Sequence, residues 1–113
     1  MTNSCIFCKI ASGEIQADLI YQDELFVAFH DLAPQAPVHV LIIPRTHYSS
    51  LLDVEDNSIL SGLLATAQKI SRQMDVAESG WRSIINTGQD GGQTVMHLHL
   101  HLLGGRFMQW PPG

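Results

Sequence analysis

Near the end of the chain three histidines alternate with apolar residues, in Val95-Met96-His97-Leu98-His99-Leu100-His101-Leu102-Leu103. Imidazole is the side chain best suited to proton transfer, nucleophilic attack or metal binding near neutral pH. At a spacing of two, His97, His99 and His101 share one face of an extended strand, because successive side chains point to opposite sides. Met96, Leu98, Leu100 and Leu102 then share the other face, which reads as core. A helix would scatter the same residues around its axis, so the pattern predicts a strand over 95–103. A lone histidine would read as an ordinary polar position on a strand edge. Three in strict alternation read as chemistry.

Other groups could serve this strand. Gly88-Gln89-Asp90-Gly91-Gly92-Gln93-Thr94 leads straight into it. Its three glycines allow a tight turn whose N–H groups face an anion, and it ends in the Thr94 hydroxyl. On glycine content alone an ordinary hairpin loop explains it equally well. Its position favours anion binding, with Asn86 at the same corner. Cys5 and Cys8 have metal-ligand spacing but form a single pair, so tetrahedral zinc needs two more ligands, from among His30, His39, His47 and the strand histidines. The other reading is two buried, inert thiols. His39, inside an apolar strand, reads by itself as a core histidine, and Asp31 as a turn former.

The elements that must position these groups follow from the remaining pattern. Ser4 is placed to cap a short helix over 5–10, closed by Gly13 in a left-handed stop. Strands are predicted at 19–22 and 25–30, joined at Asp23-Glu24 by a turn that no glycine marks. After Pro34 and Pro37 comes Val38-His39-Val40-Leu41-Ile42-Ile43, a nearly continuous apolar run suited to a strand buried on both faces and stopped by Pro44. One long helix is predicted over 54–74. Its apolar stripe is Ile59, Leu60, Leu63, Leu64, Ala67, Ile70 and Met74, and acidic residues crowd its start. A fourth strand spans 81–87. Five strands with one long and one short helix, lacking regular β-α alternation, predict an α+β fold with an antiparallel sheet.

The 113 residues suit one domain with a real core, and 45% hydrophobic with 15% charged residues is a globular composition. A net charge of −5 argues against nucleic acid held by bulk electrostatics. No apolar run approaches the roughly 20 residues of a membrane span. The first residues lack the basic and apolar regions of a signal peptide, so the cytoplasm is the expected location. There a Cys-x-x-Cys pair points to metal binding or redox chemistry rather than to a structural disulfide.

His97-Leu98-His99-Leu100-His101-Leu102-Leu103 resembles the signature of the histidine-triad (HIT) family. Ile6-Phe7-Cys8-Lys9-Ile10, Ala36 through Pro44, Asn86 through Thr94, Gly104-Gly105-Arg106 and Trp110-Pro111-Pro112-Gly113 resemble its nucleotide-binding branch, HINT. The resemblance covers nearly the whole chain. It implies a single HIT domain over 1–113, and a homodimer with a ten-stranded sheet across the interface. The activity it implies is hydrolysis or transfer at the α-phosphate of purine nucleotides, notably phosphoramidates of adenosine or guanosine.

By position in that family, His99 is the nucleophile and His101 contacts the phosphate and assists the leaving group. His39 supports the histidine network. Asn86, Gly92 and Thr94 (where the branch often has serine) line the phosphate site, and Asp31 and Leu32 meet the ribose. Phe7, Ile10 and Phe29 form the purine pocket. The resemblance couples Cys5 and Cys8 to His47 and His97 in a structural zinc site and requires no catalytic cofactor. The Phe107-Met108-Gln109 segment departs from other members, so leaving-group preference does not carry over. Two rivals remain: a zinc hydrolase whose strand histidines hold a catalytic metal, and a nucleotide-binding or protein-interaction module with incidental hydrolysis.

Overall fold

The run Val40-Leu41-Ile42-Ile43 lies in the middle of the molecule, buried on both faces as its unbroken apolar character predicts. The computed structural model describes residues 4–113. Its strands are β1 (Leu19–Gln22), β2 (Phe26–His30), β3 (Val38–Pro44), β4 (Trp81–Ile84) and β5 (Leu100–Gly104), with helices α1 (Ile6–Ser12) and α2 (Asn57–Gln73). The strands form one antiparallel sheet in the order β1-β2-β3-β5-β4. This is the expected α+β architecture.

Alternation sorts the side chains onto two faces. Val40, Ile42, Leu100 and Leu102 pack with Leu98 and with Ile59, Leu63, Ala67 and Ile70 of α2 in the main core. Leu41 and Ile43 turn the other way and meet Val27, Phe29, Phe7 and Ile10, so α1 covers part of the second face. Each such fully buried apolar side chain stabilises the fold by roughly 1.5–3 kcal/mol. Gly62 brings α2 close to the sheet: a Cβ there would lie 2.6 Å from the Phe26 ring.

Several boundaries differ from the sequence reading. The helix expected over 54–74 begins at Asn57, because the Asp56 carboxylate accepts from the Ser58 N–H and caps it; Leu51–Asp53 forms a separate 3-10 turn. Leu64 is 56% exposed and leaves the apolar stripe. The short helix is capped by Cys5 rather than Ser4, with the Sγ accepting from the Cys8 N–H, and it ends at Gly13 as expected. The second strand starts at Phe26, since Leu25 belongs to the turn. There the Asp23 carboxylate accepts from the N–H groups of Leu25 and Phe26, each at 2.8 Å. A side-chain-closed turn of this kind needs no glycine. The fourth strand ends at Ile84, not at 87.

The histidine strand is shorter than predicted. Only Leu100–Gly104 joins the ladder; Val95–His97 bend, and Leu98 is anchored by its N–H to the Tyr48 carbonyl at 2.7 Å. Met96 is 51% exposed and outside the core, whereas Leu98, Leu100 and Leu102 are buried as expected.

Candidate active site

The β3–β5 register pairs His39 with Leu103 and Leu41 with His101, which puts both histidines on the α1 face. His99 lies just before the ladder, with its ring centroid 4.9 Å from that of His101. Phe7 of α1 covers His99 and His97 edge-on, at 5.1 and 5.8 Å between centroids. His97 and His99 are therefore buried, although no strand partner flanks them.

The hydrogen bonds assign each imidazole proton. His99 Nδ1–H donates to the His97 carbonyl at 2.7 Å, which leaves Nε2 as the bare, nucleophilic nitrogen. The Gln35 backbone N–H donates to His39 Nδ1 at 3.0 Å, so the His39 proton lies on Nε2. That Nε2–H donates to His101 Nδ1 at 2.9 Å, and Asp31 Oδ2 stands 3.4 Å from the same nitrogen. His101 in turn carries its proton on Nε2. Burial, followed by His99 and His39, pushes His101 down to about 4, against the opposing pull of Asp31. Burial also lowers His39. Both are neutral at physiological pH. The reading of His39 as a bland core histidine is corrected: it is buried, but as the middle of a relay.

His97 serves another centre. Its Nε2–H donates to the Pro44 carbonyl at 2.9 Å, freeing Nδ1 to face Cys5 Sγ (3.3 Å), Cys8 Sγ (3.5 Å) and His47 Nδ1 (3.2 Å). Cys8 Sγ lies 3.3 Å from His47 Nδ1. These four ligand atoms lie within 4.8 Å of one another. Zn–S and Zn–N bonds of roughly 2.3 and 2.0–2.1 Å give tetrahedron edges of about 3.6 Å for S···N and about 3.3 Å for N···N. The observed separations fit a tetrahedral ion to within a few tenths of an ångström. Burial, then the hydrogen bond and charge of Cys5, push the Cys8 thiol up to about 11. A divalent cation would reverse that preference and hold it as thiolate. His30, a further candidate ligand, lies apart, 3.7 Å from Asp18. Asp31, His39 and His101 also converge, but the His39–His101 bond occupies the nitrogens a metal would need.

A cavity of about 460 Å³ opens beside the histidines. Phe7, Ile10, Phe29, Asp31, Leu32, Thr94, His99 and His101 all line it, with Leu32 fully exposed at its mouth. Asn86 and Gly92 do not. Asn86 lines a second cavity of about 320 Å³, together with His39, Arg82 and Arg106; His101 borders both.

The glycine loop is a built turn. The Gln93 amide accepts from the Gly88 N–H and donates to the carbonyls of Ser49 and Val95. Gly88 and Gly92 have φ of +73° and +76°, and a Cβ on Gly91 would lie 2.3 Å from the Thr87 carbonyl oxygen. The structural roles of Gln93 and Gln35 were not legible beforehand, because polar residues in a loop carry no periodic signal.

The HIT domain family model matches residues 12–108. A purine nucleoside phosphoramidase of Escherichia coli strain K12 is 47% identical over 108 residues, covering 94% of this chain and 91% of the relative. A crystal structure of a HIT family hydrolase from Legionella pneumophila matches with a TM-score of 0.93 and 48% identity, over 96% of this chain and 99% of that one. A zinc-bound histidine triad family protein from Mycobacterium smegmatis matches with a TM-score of 0.83 and 36% identity, over 94% and 78%. A five-stranded antiparallel sheet with alternating histidines beside an apolar cavity is thus a histidine-triad hydrolase fold. The chain belongs to the HIT family.

Proposed function

We propose that the chain hydrolyses purine nucleoside 5′-phosphoramidates through a nucleotidyl-His99 intermediate. The observation that carries this reading is the His99 Nδ1–H bond to the His97 carbonyl, which directs a bare Nε2 toward the cavity that Thr94 and His101 share. In this reading Phe7, Ile10 and Phe29 hold the purine and Asp31 and Leu32 meet the ribose. Thr94, Gly92 and Asn86 lie toward the phosphate. Asn86 and Gly92 are the weaker members, since neither lines the cavity with His99.

His99 Nε2 attacks the α-phosphorus with its lone pair, forming the P–Nε2 bond as the P–N bond to the leaving amine breaks. The amine keeps that electron pair and takes one proton from water. His101 Nε2–H donates to the phosphoryl oxygens and stabilises the charge that builds there. Water then attacks phosphorus, the P–Nε2 pair returns to His99, and nucleoside monophosphate leaves with release of the water proton. Cys5, Cys8, His47 and His97 would hold a zinc ion that ties α1 to the start of the catalytic segment, a structural cross-link rather than a chemical participant. The likeness to the zinc-bound mycobacterial protein supports that site.

The working form in this reading is a cytoplasmic homodimer. Its ten-stranded sheet would continue through an exposed strand edge such as β4, which lies at the border of the sheet beside β5. Light scattering of the purified chain tests the dimer. Mass spectrometry of protein quenched during turnover tests the chemistry: an adduct of nucleoside-monophosphate mass on His99 is expected. Near-normal turnover by His99→Ala would refute it. A kcat/KM far below roughly 10⁴ M⁻¹s⁻¹ on every phosphoramidate tried would favour the binding-module reading instead.

A further inference from the structure

The relay from His39 to His101 could in principle run in either direction. If His39 carried its proton on Nδ1, His39 Nε2 would accept from His101 Nδ1–H, and His101 would turn a bare Nε2 toward the phosphate. A lone pair would then face anionic oxygens, where the proposed chemistry needs a donor. Something outside the histidines has to choose the direction.

The Gln35 backbone makes that choice, since its N–H occupies His39 Nδ1 at 3.0 Å. Gln35 is held in turn by the C-terminal segment. Arg106 Nε–H donates to the Gln35 carbonyl at 3.1 Å, and Arg106 Nη1–H donates to the Phe107 carbonyl at 3.1 Å. From within the loop, the Gln35 side-chain amide donates to the Ala33 carbonyl at 2.9 Å, and the Ala33 N–H donates to Asp31 Oδ1 at 2.8 Å. Gly105 lets the two segments meet, because it has a φ of +90° and a Cβ there would lie 2.9 Å from the Pro37 ring. Arg106 is exposed, and both of these hydrogen bonds go to backbone carbonyls.

We propose that Arg106 and Gln35 are positioning residues: Arg106 clamps Gln35, and the Gln35 N–H fixes the proton on Nε2 of His39 and hence on Nε2 of His101. The inference rests on the reading that His101 faces the phosphate. The proton positions themselves can be measured without substrate.

The test uses the full chain labelled with ¹⁵N, in two-bond ¹H–¹⁵N spectra recorded above neutral pH. Wild-type His39 and His101 are expected as Nε2–H tautomers, with a through-hydrogen-bond N–N coupling from the Gln35 amide to His39 Nδ1. In Arg106→Met a second tautomer is expected at both rings. Its kcat on an adenosine phosphoramidate should fall about fivefold, the equivalent of one neutral hydrogen bond, with KM unchanged. Arg106→Lys keeps a donor and should restore most of both. A wild-type His39 protonated on Nδ1 overturns the proposal even if no variant folds. Unaltered tautomers in a folded Arg106→Met also overturn it, because a merely structural arginine would lower thermal stability and leave the rings unchanged. Unaltered tautomers in Arg106→Met leave the phosphoramidase reading standing, whereas an Nδ1–H His39 would keep His99 as nucleophile but remove His101 Nε2 as a donor to the phosphate. Wild-type protein without turnover would sink that reading and leave the tautomer result intact.

Discussion

Phe7 is where fold and chemistry share a side chain, and Phe7→Ala separates the two. The ring is 7% exposed and stands edge-on to Phe29, His97 and His99, at 5.6, 5.8 and 5.1 Å between centroids. Losing its burial removes roughly 1.5–3 kcal/mol, and each well-oriented ring pair adds about 0.5–1.5 kcal/mol. Because the ring also borders an open cavity, water can fill part of the space left. The cost should therefore fall near the low end of the usual range for Phe→Ala, about 3 kcal/mol. That is a large fraction of a typical total of roughly 5–15 kcal/mol. Urea unfolding followed by circular dichroism measures it. On the functional side, the truncation removes both a wall of the proposed purine pocket and the cover that holds the His99 ring. KM for a purine phosphoramidate should rise and kcat should fall together, whereas Phe7→Leu should restore stability more fully than kcat. A Phe7→Ala protein that loses less than about 1 kcal/mol and keeps wild-type KM and kcat would refute the placement of α1 over the histidines.

Three further outcomes follow from the same geometry. Cys8→Ser should reduce bound zinc, read by elemental mass spectrometry, and lower the thermal midpoint, while the folded fraction keeps hydrolytic activity; loss of activity with the fold intact would favour a catalytic metal. His101 and His39 are held neutral in the fold by burial, whereas in the unfolded chain they protonate near their ordinary value of 6.5. For His101 the unfolded state then binds the extra proton as pH falls from about 6.5 to about 4, and His39 acts in the same direction, so stability present above that window is lost through it, by up to ~1.4 kcal/mol per pH unit per proton. Urea midpoints across the window should fall less in His101→Gln; identical slopes would contradict the assignment. Gln93→Ala removes three hydrogen bonds of a buried amide and should cost about 2–3 kcal/mol. Hydrogen exchange at Gly88 should rise accordingly, and an unchanged rate would show that the loop holds itself.

Much of the fold was legible because it rests on local patterns. The unbroken run in β3, the leucines between the histidines and the stripe on α2 each follow from a period set by strand or helix geometry. The structure departs from those patterns where a long-range contact overrides the local one. The alternation of the histidine segment predicts one strand, but the Leu98 N–H goes to Tyr48 rather than to a neighbouring strand. The missing glycine at Asp23 was ambiguous because its carboxylate, not its backbone conformation, closes the turn. His39 looked inert because nothing in its neighbours names a partner 62 positions away.

The three alternating histidines, the Cys-x-x-Cys pair and the glycine loop determined by themselves which chemistry was available, since residue type and spacing fix the reactive groups and the face they share. The division of labour among the three imidazoles was decided only by the tertiary structure. An imidazole has two nitrogens, and which one holds the proton depends on partners brought from elsewhere in the chain. The Pro44 carbonyl turns His97 toward the cysteines, and Gln35 and His39 set His101. For His99 the partner is the carbonyl two residues back, but the orientation that makes this bond is held by Phe7 from the other end of the sequence.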